Sequence, residues 1–292
     1  MSECVRTAWL DLNGNIIYLE DVDAGYYCTS LDLGSPDVRE VMNDRPDQDG
    51  ADDRTQFLGA RAVAAEITAT EDIDTVATSF APFMSPSARP VLHYVLDRPG
   101  APERTLVLRA AAYAWPIKGP FRRDIQLQWV AADPVIQDPV ERQSIAHAGS
   151  SIAPGRYYNL THPRIYPTGG SSPTDGLIRS DGDLPIKPRL RIYGPITGPI
   201  VHFASPGADT FVVGFLSSFV IGAGAWVDVD TQYKTAFYQS DPNQNVLTSL
   251  NWATLKWPVL DPHVDHHMTL TGTGTMTPIT QVVATWQDGY LA

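Results

Sequence analysis

The feature that most restricts the fold of this chain is the repeated interruption of apolar segments by glycine and proline. Three such segments occupy residues 192–199 (IYGPITGP), 220–231 (VIGAGAWVDVDT) and 284–290 (ATWQDGY). Apolar runs this short, separated by turn residues, are typical of strands and not of helices. No recognised catalytic motif stands between them. The pattern predicts a β-sandwich with a structural role.

Length and charge limit the classes of protein to consider. A chain of 292 residues is long enough for two domains, each with its own core. Hydrophobic residues make up 43% and aromatic residues 10%, which is typical of folded globular proteins. The 33 acidic residues outnumber the 21 basic ones, and this balance disfavours nucleic acid as a partner.

The N-terminal part predicts strands with one helix. Asn13-Gly14 is a strong hairpin signal between strands 5–10 and 16–19. A helix is expected over residues 72–84, because acidic residues crowd its first turn and Pro86 and Pro90 follow it. The other expected strands are residues 26–33, 38–42, 55–67, 91–96, 105–114 and 121–132.

Two Asp-Pro pairs at residues 133–134 and 138–139 predict a domain boundary, because the residue before proline avoids helix and proline interrupts strand pairing. We expect a first sandwich domain at 1–138, a Pro/Gly/Ser-rich connector or arm at 139–187, and a second sandwich at 188–292. The N-terminus has no signal-peptide pattern. The uncharged stretch 210–227 is too short and too interrupted for a membrane span, and predicts two buried strands joined by a Ser-rich bend.

The order of the three C-terminal segments resembles the distal tail (Dit-like minor tail) proteins of long-tailed, non-contractile phages. The N-terminal part is similar to the same family in residues 31–39 (LDLGSPDVR), in Asp49-Gly50 and in the spacing of Thr55, Phe57, Gly59 and Arg61. The resemblance thus covers most of the chain, and it depends on the order of motifs that are each weak.

The resemblance implies a mainly β fold with an N-terminal belt-like sandwich carrying one helix and a C-terminal galectin-like sandwich. It implies a structural baseplate hub in the virion, made in the host cytoplasm: a hexameric ring between the tail tube and the host-recognition proteins. The partners would be further copies, the major tail tube protein, and tail-associated or tape measure proteins. We also expect no enzymatic activity, no cofactor and no membrane insertion, because the chain lacks the corresponding motifs and a long enough apolar stretch.

Two clusters suggest metal ligands. The first is an acidic cluster around Gly50 that comprises Asp44, Asp47, Asp49, Asp52 and Asp53. The spacing of these residues does not fit a calcium-binding EF-hand. A solvated turn between two strands is therefore the better interpretation, and a weak surface cation site is the alternative.

The second cluster is Asp261, His263, Asp265, His266 and His267. On a strand, His266 and His267 point to opposite faces and cannot share one ion. We therefore expect no metal site.

A catalytic site is not predicted either. The chain has no G-x-S-x-G or H-E-x-x-H motif, and His147, near Ser144 and Ser150, is expected to be a loop histidine. A pair of glycosidase carboxylates is neither shown nor excluded. Cys4 and Cys28 are too few for a disulfide framework, and a bond between them is geometrically possible but unproven.

The alternative function is a carbohydrate-binding sandwich. Trp226, Tyr233, Trp252 and Trp257 could stack on sugar rings, but aromatic residues also fill sandwich cores, and each tryptophan has a plausible core role. Sugar binding would require these residues on an exposed concave face with polar partners.

Overall fold

The computed structural model describes residues 5–39, 43–44, 51–52, 57–70, 73–114, 123–148, 174–205 and 210–291. The chain forms two compact units. The first comprises Met1–Pro139 together with Tyr290–Ala292, and the second comprises Val140–Gly289. The final three residues therefore return to the first unit, which the sequence did not indicate.

The first unit is built mainly from strands. They are β1 (Val5–Leu12), β2 (Asn15–Tyr18), β3 (Tyr26–Asp32), β4 (Val38–Arg39), β5 (Asn43–Asp44), β6 (Ala51–Asp52), β7 (Phe57–Leu58), β8 (Arg61–Ala69), β9 (Val91–Leu96), β10 (Glu103–Val107), β11 (Arg109–Ala114), β12 (Arg123–Ala131) and β13 (Ile136–Gln137). The opening hairpin is confirmed: Leu12 pairs with Asn15, and Asn13 and Gly14 have the positive φ angles that a two-residue turn requires.

Two antiparallel sheets form this unit's sandwich. One has the order β2-β1-β9-β10-β13 and is completed by β24 (Gly289–Tyr290), and the other has the order β11-β12-β8-β3. The predicted strand 105–114 is in fact two strands in different sheets, because the chain changes sheet at the fully buried Leu108. The predicted strand 55–67 is also divided, into β7 and β8.

The helix prediction is correct in position but too long. Helix α1 spans Ile73–Phe80, and a 3-10 turn follows at Ala81–Met84, where Pro82 cannot donate the hydrogen bond that a longer helix needs. Ile73, Val76 and Phe80 of α1 are buried in the core of the first unit, so the helix packs by its apolar side.

The second unit is a sandwich of strands β14 (Arg142–His147), β15 (Gly176–Ile178), β16 (Arg189–Tyr193), β17 (Ile196–Ala204), β18 (Phe211–Gly214), β19 (Val220–Ile221), β20 (Trp226–Asp230), β21 (Thr235–Tyr238), β22 (His266–Thr273) and β23 (Gln281–Trp286). One sheet has the order β14-β23-β16-β20-β21. The other has the order β15-β22-β17-β18, with β19 also paired to β17.

Strands β14 and β15 lie within the segment 139–187, for which the sequence predicted a connector or arm; residues 149–173 of that segment lie outside the described residues. The stretch 210–227 contains β18, a turn at Ser217-Ser218, β19 and the start of β20. The two strands and the Ser-rich bend were predicted, but Val220 of β19 is exposed, so the strands are not fully buried. Within the described part of the chain, no helix is long and apolar enough to cross a membrane.

Candidate functional site

The acidic cluster of the first unit falls largely outside the described residues. Of its members, Asp44 lies in β5 and Asp52 in β6, and these two strands pair antiparallel with Asp44 opposite Ala51. Asp47, Asp49 and Asp53 are not described, so the surface cation site stays a hypothesis.

The histidine cluster of the second unit is divided by its strand, as the sequence predicted. His266 is buried and its Nε2 lies 3.2 Å from the carbonyl oxygen of Asp261, whereas His267 is exposed on the opposite face of β22. Among the residues that the structure describes, no group of three or more His, Cys, Asp or Glu side chains is placed to hold a metal ion.

His147 is a strand residue and not the loop residue that the sequence suggested. It lies in β14 opposite Gln281, and its backbone N–H donates to the carbonyl oxygen of Thr174 at 3.1 Å. Ser144 is three residues away on the same strand, so the two side chains point to opposite faces. The structure therefore does not bring this serine and histidine together as a nucleophile and base.

The four aromatic residues proposed as sugar-binding do not share one face. Trp226 lies in β20, and Tyr233 is 67% exposed in the turn after that strand. Trp257 is partly buried against the core of the second unit and follows Lys256, which pairs with Val212 of β18. Trp252 is 61% exposed, so the expectation that every tryptophan has a core role is wrong for this residue. The indole N–H of Trp226 lies within hydrogen-bond distance of the polar side chains of Asp228 and Ser240.

The polar side chains around Trp226 belong to the outer face of the sheet β14-β23-β16-β20-β21. Strands β16 and β20 alternate, so that Leu190, Ile192, Val227 and Val229 fill the core while their neighbours face outward. The strand register places three outward pairs side by side: Arg189 with Asp230, Arg191 with Asp228, and Tyr193 with Trp226.

Asp228 is the centre of a hydrogen-bond network on this face. It accepts from Arg191 Nε at 2.6 Å, from the Trp226 indole N–H at 3.3 Å and from the Ser240 hydroxyl at 2.5 Å. The hydrogen bond to Asp228 raises the pKa of Arg191, which also hydrogen-bonds Tyr193. The Arg191 guanidinium lies 5.6 Å from the centroid of the Trp226 ring. These contacts fix the side chains relative to one another.

An open cavity of about 570 Å³ covers this face. Small-molecule sites have volumes of about 300–1,000 Å³, so the cavity is large enough for a ligand of that class. Its lining combines charged, hydroxyl and aromatic side chains. It includes Glu141, Gln143, Arg189, Arg191, Tyr193, Asp228, Asp230, Thr235, Phe237 and Thr285.

The first unit contains a buried arginine that the sequence analysis treated only as part of a family motif. Arg61 is 2% exposed and donates from Nε to Pro134 O at 3.1 Å, from Nη1 to Gly34 O at 3.0 Å and from Nη2 to Leu291 O at 2.5 Å. It thereby connects three distant segments. The burial of Arg61 could have been predicted from the sequence, because Arg61 is two residues before the inward-facing Val63 of β8 and therefore lies on the same face of the strand.

Arg104 makes a second contact with the returning C-terminal segment. Its guanidinium carbon lies 3.6 Å from the centroid of the Tyr290 ring, and its Nη1 lies 3.6 Å from Asp138 Oδ2. A cation at this distance from an aromatic face is attracted to it. Two arginines therefore hold residues 290–291 against the first unit.

The second unit contains a fully buried carboxylate. Asp288 has no exposed side-chain surface, and its Oδ2 lies 2.8 Å from Arg142 Nη2. The same arginine donates from Nη1 to the exposed Asp181 at 2.8 Å, and this hydrogen bond lowers the pKa of Asp181. Arg142 thus neutralises a charge that has no access to water.

Cys28 is a half-buried free thiol whose Sγ lies 3.3 Å from Ser30 O, while Cys4 lies outside the described residues. Burial raises the pKa of Cys28 to about 11, and Glu20 and Glu66 act in the same direction. The folded protein therefore favours the protonated thiol. Because the fold favours the protonated form, Cys28 contributes to stability below the ordinary thiol pKa, and this contribution is lost as the pH rises through about 11.

We expect Cys28 to react slowly with iodoacetamide at pH 8. The thiolate is the reactive form, and at this pH it is about a hundredfold scarcer than for an ordinary thiol. In a Cys4→Ser variant, mass spectrometry should show labelling in guanidinium that is about a hundredfold faster than in the folded protein. Equal rates in both conditions would contradict the raised pKa.

Comparison with known proteins gives a match at the level of fold. The crystal structure of the SPP1 Dit (gp 19.1) protein, described as a paradigm of the hub adsorption apparatus in phages infecting Gram-positive hosts, superposes with a TM-score of 0.64. The match covers 97% of this chain and 99% of that one at 12% identity. It confirms the predicted resemblance in fold, a mainly β chain with two sandwiches.

Chains in two further structures were also found. One is from the phage P2 baseplate in its activated conformation with Ca, with a TM-score of 0.49 at 9% identity over 97% of this chain and 98% of that one. The other is from the phage p2 baseplate with Sr, with a TM-score of 0.48 at 10% identity over 96% and 97%. No family model and no curated protein matches the chain.

Proposed function

We propose that this protein is a structural, non-enzymatic subunit of a phage tail tip, and that copies of it form a closed ring. The observation that carries the proposal is the match to the SPP1 Dit protein over nearly the full length of both chains. That protein is described as belonging to a hub adsorption apparatus, and the motif order in this sequence points to the same family. A hexamer is the expected stoichiometry.

An edge strand of the first unit supports self-association. In the described structure β11 is the outermost strand of its sheet, and after Arg109 it contains no charge and no proline; its sequence is RAAAYA. Ala111 and Ala112 are exposed and Tyr113 is 56% exposed. Natural proteins usually protect strand edges with charged residues or proline, so an apolar edge of this kind is suited to contact with another chain.

A cavity of about 630 Å³ lies beside this strand and is lined mainly by apolar residues. The lining residues are Ala81, Met84, Ser85, Pro86, Ala110, Ala111, Ala112 and Tyr113. Closed rings need a head-to-tail surface on every copy, and this side of the first unit offers one half of it. The tail tube protein above the ring, and tail-associated or tape measure proteins below it, are the other proposed partners in the virion.

We expect Ala112→Asp to prevent ring formation by the full-length protein. A carboxylate at the edge of β11 would lose its water on contact with a second chain, and this cost opposes assembly. Size exclusion with light scattering and negative-stain microscopy should show rings for the unaltered protein and monomers for the variant. Ala253→Asp, which alters an exposed alanine of the second unit, is the control and should leave the ring intact.

A fragment of residues 140–289 provides an independent check. This unit has its own core and is large enough to fold alone, so it should be monomeric. A ring formed by the fragment, or a full-length protein that stays monomeric in assembled tails, would disprove the proposed architecture.

A further inference from the structure

The outer face of the sheet β14-β23-β16-β20-β21 has a fixed arrangement of polar and aromatic groups that takes no part in the ring contact proposed at β11. The geometry points to a binding site for a neutral oligosaccharide on this face, centred on Arg191, Asp228 and Tyr193, which line the cavity. The residues that line the site all belong to the second unit.

The network around Asp228 fixes these groups before any ligand binds. The indole N–H of Trp226 and the hydroxyl of Ser240 both donate to Asp228, which also holds Arg191. Exposed ion pairs on a sheet contribute only about 0–1 kcal/mol to stability, so stability alone is a weak reason for such a network. A rigid set of side chains loses less conformational entropy on binding, which favours affinity.

The charges of the cavity favour an uncharged ligand. Arg189 and Arg191 face Glu141, Asp228 and Asp230, so two cations stand against three anions. Arg189 Nε lies 3.2 Å from Asp230 Oδ2, and Arg191 is bound to Asp228, so both cations are already paired. The chain as a whole carries a net charge of −12, which repels polyanions.

The remaining chemistry fits a saccharide better than a peptide. The backbones of β16, β20 and β23 are paired within the sheet, so a peptide strand could not add to the centre of this face. A sugar needs no free backbone groups, because its hydroxyls both donate and accept hydrogen bonds. Arg191 and Asp228 supply a donor and an acceptor, and the rings of Tyr193 and Phe237, which both line the cavity, supply apolar surface for the C–H face of the sugar.

The test is calorimetric titration of the full-length protein with neutral di- to tetrasaccharides of glucose, galactose, mannose, rhamnose and N-acetylglucosamine. We expect at least one to bind with a dissociation constant at or below about 1 mM. Asp228→Asn should weaken that binding at least about tenfold, since it removes the charged acceptor and the anchor of Arg191. Arg191→Lys, which keeps the charge but loses the planar donor, should weaken it similarly and replaces Asp228→Asn if that variant does not fold.

Trp252→Ala is the matched control, because it removes an exposed tryptophan that does not line this cavity. Its affinity should equal that of the unaltered protein. The inference is overturned if none of the sugars binds, if binding survives the changes at Asp228 and Arg191, or if it is lost in Trp252→Ala. Binding restricted to inorganic phosphate or a sulfated disaccharide would overturn it as well.

Discussion

Replacing Arg61 with methionine should lower the free energy of unfolding of the first unit by about 3–5 kcal/mol. The guanidinium is buried and supplies donors to the carbonyl oxygens of Gly34, Pro134 and Leu291. Methionine fills much of the same space but donates no hydrogen bond. Each buried carbonyl that loses its donor costs about 1–3 kcal/mol, and partial access to water reduces the sum.

Hydrogen exchange during urea unfolding can assign this loss to one unit. Peptides from β8 and β12 should become less protected in Arg61→Met, whereas peptides from β16 and β20 should not change. Arg109→Met is the control, because Arg109 is exposed in the same unit and its loss should cost less than about 0.5 kcal/mol. Equal effects of the two substitutions would show that Arg61 does not connect the segments.

Deleting residues 290–292 tests the same connection from the other side. The deletion removes Leu291 O as an acceptor and Tyr290 as the partner of Arg104, so it should destabilise the first unit in the same direction. Because Arg61 and Leu291 share one interaction, the combined loss should be smaller than the sum of the two separate losses. If the two losses of stability are strictly additive, Arg61 and Leu291 do not interact as proposed.

Replacing Arg142 with methionine should destabilise the second unit by about 3–5 kcal/mol. The change leaves Asp288, which has no exposed surface, without the cation that lies 2.8 Å from it. An uncompensated buried carboxylate is strongly unfavourable because it has lost its water and gained no partner. Urea unfolding monitored through hydrogen exchange of β16 and β23 gives the measurement.

A double-mutant cycle isolates this ion pair. Adding Asp288→Asn to Arg142→Met removes the buried charge and should recover part of the lost stability. Arg179→Met is the control, since Arg179 pairs with the exposed Asp181 and Asp265 and its loss should cost about 0–1 kcal/mol. If the double variant is less stable than Arg142→Met, the buried charge is not the cause.

Local patterns in the sequence determined much of the secondary structure. Asn13-Gly14 fixed the first hairpin, because both residues adopt the positive φ that this turn requires. Gly34 of the LDLGSPDVR motif has a similar reason: its φ is +57°, and a Cβ atom there would lie 2.3 Å from Ala62 O. The hairpin turn depends on two adjacent residues, so sequence reasoning can reach it, whereas the close approach of Ala62 to Gly34 joins residues that are far apart in the chain.

The candidate binding face was only partly predictable. Trp226 was identified as a possible sugar contact, and it contacts Asp228 and Arg191 at the side of the cavity, but Tyr233, Trp252 and Trp257 were grouped with it although none of them lines the cavity. Arg191 and Asp228 were not identified at all. They are far apart in the chain, and only the antiparallel register of β16 and β20 places them side by side.

The sequence by itself determined the strand-rich class, the opening hairpin, the position of the described helix and, where apolar and polar residues alternate, the side of a strand that faces a core. Alternation with a period of two residues carries that information within a single strand. Tertiary structure alone decided that β14 pairs with β23 and that Tyr290 returns to the first unit. The physical reason is that alternation shows which side of a strand is buried but not which strand lies beside it. That choice depends on how all the buried faces pack together, and in this chain it also places Arg61, Asp288 and the Trp226 network.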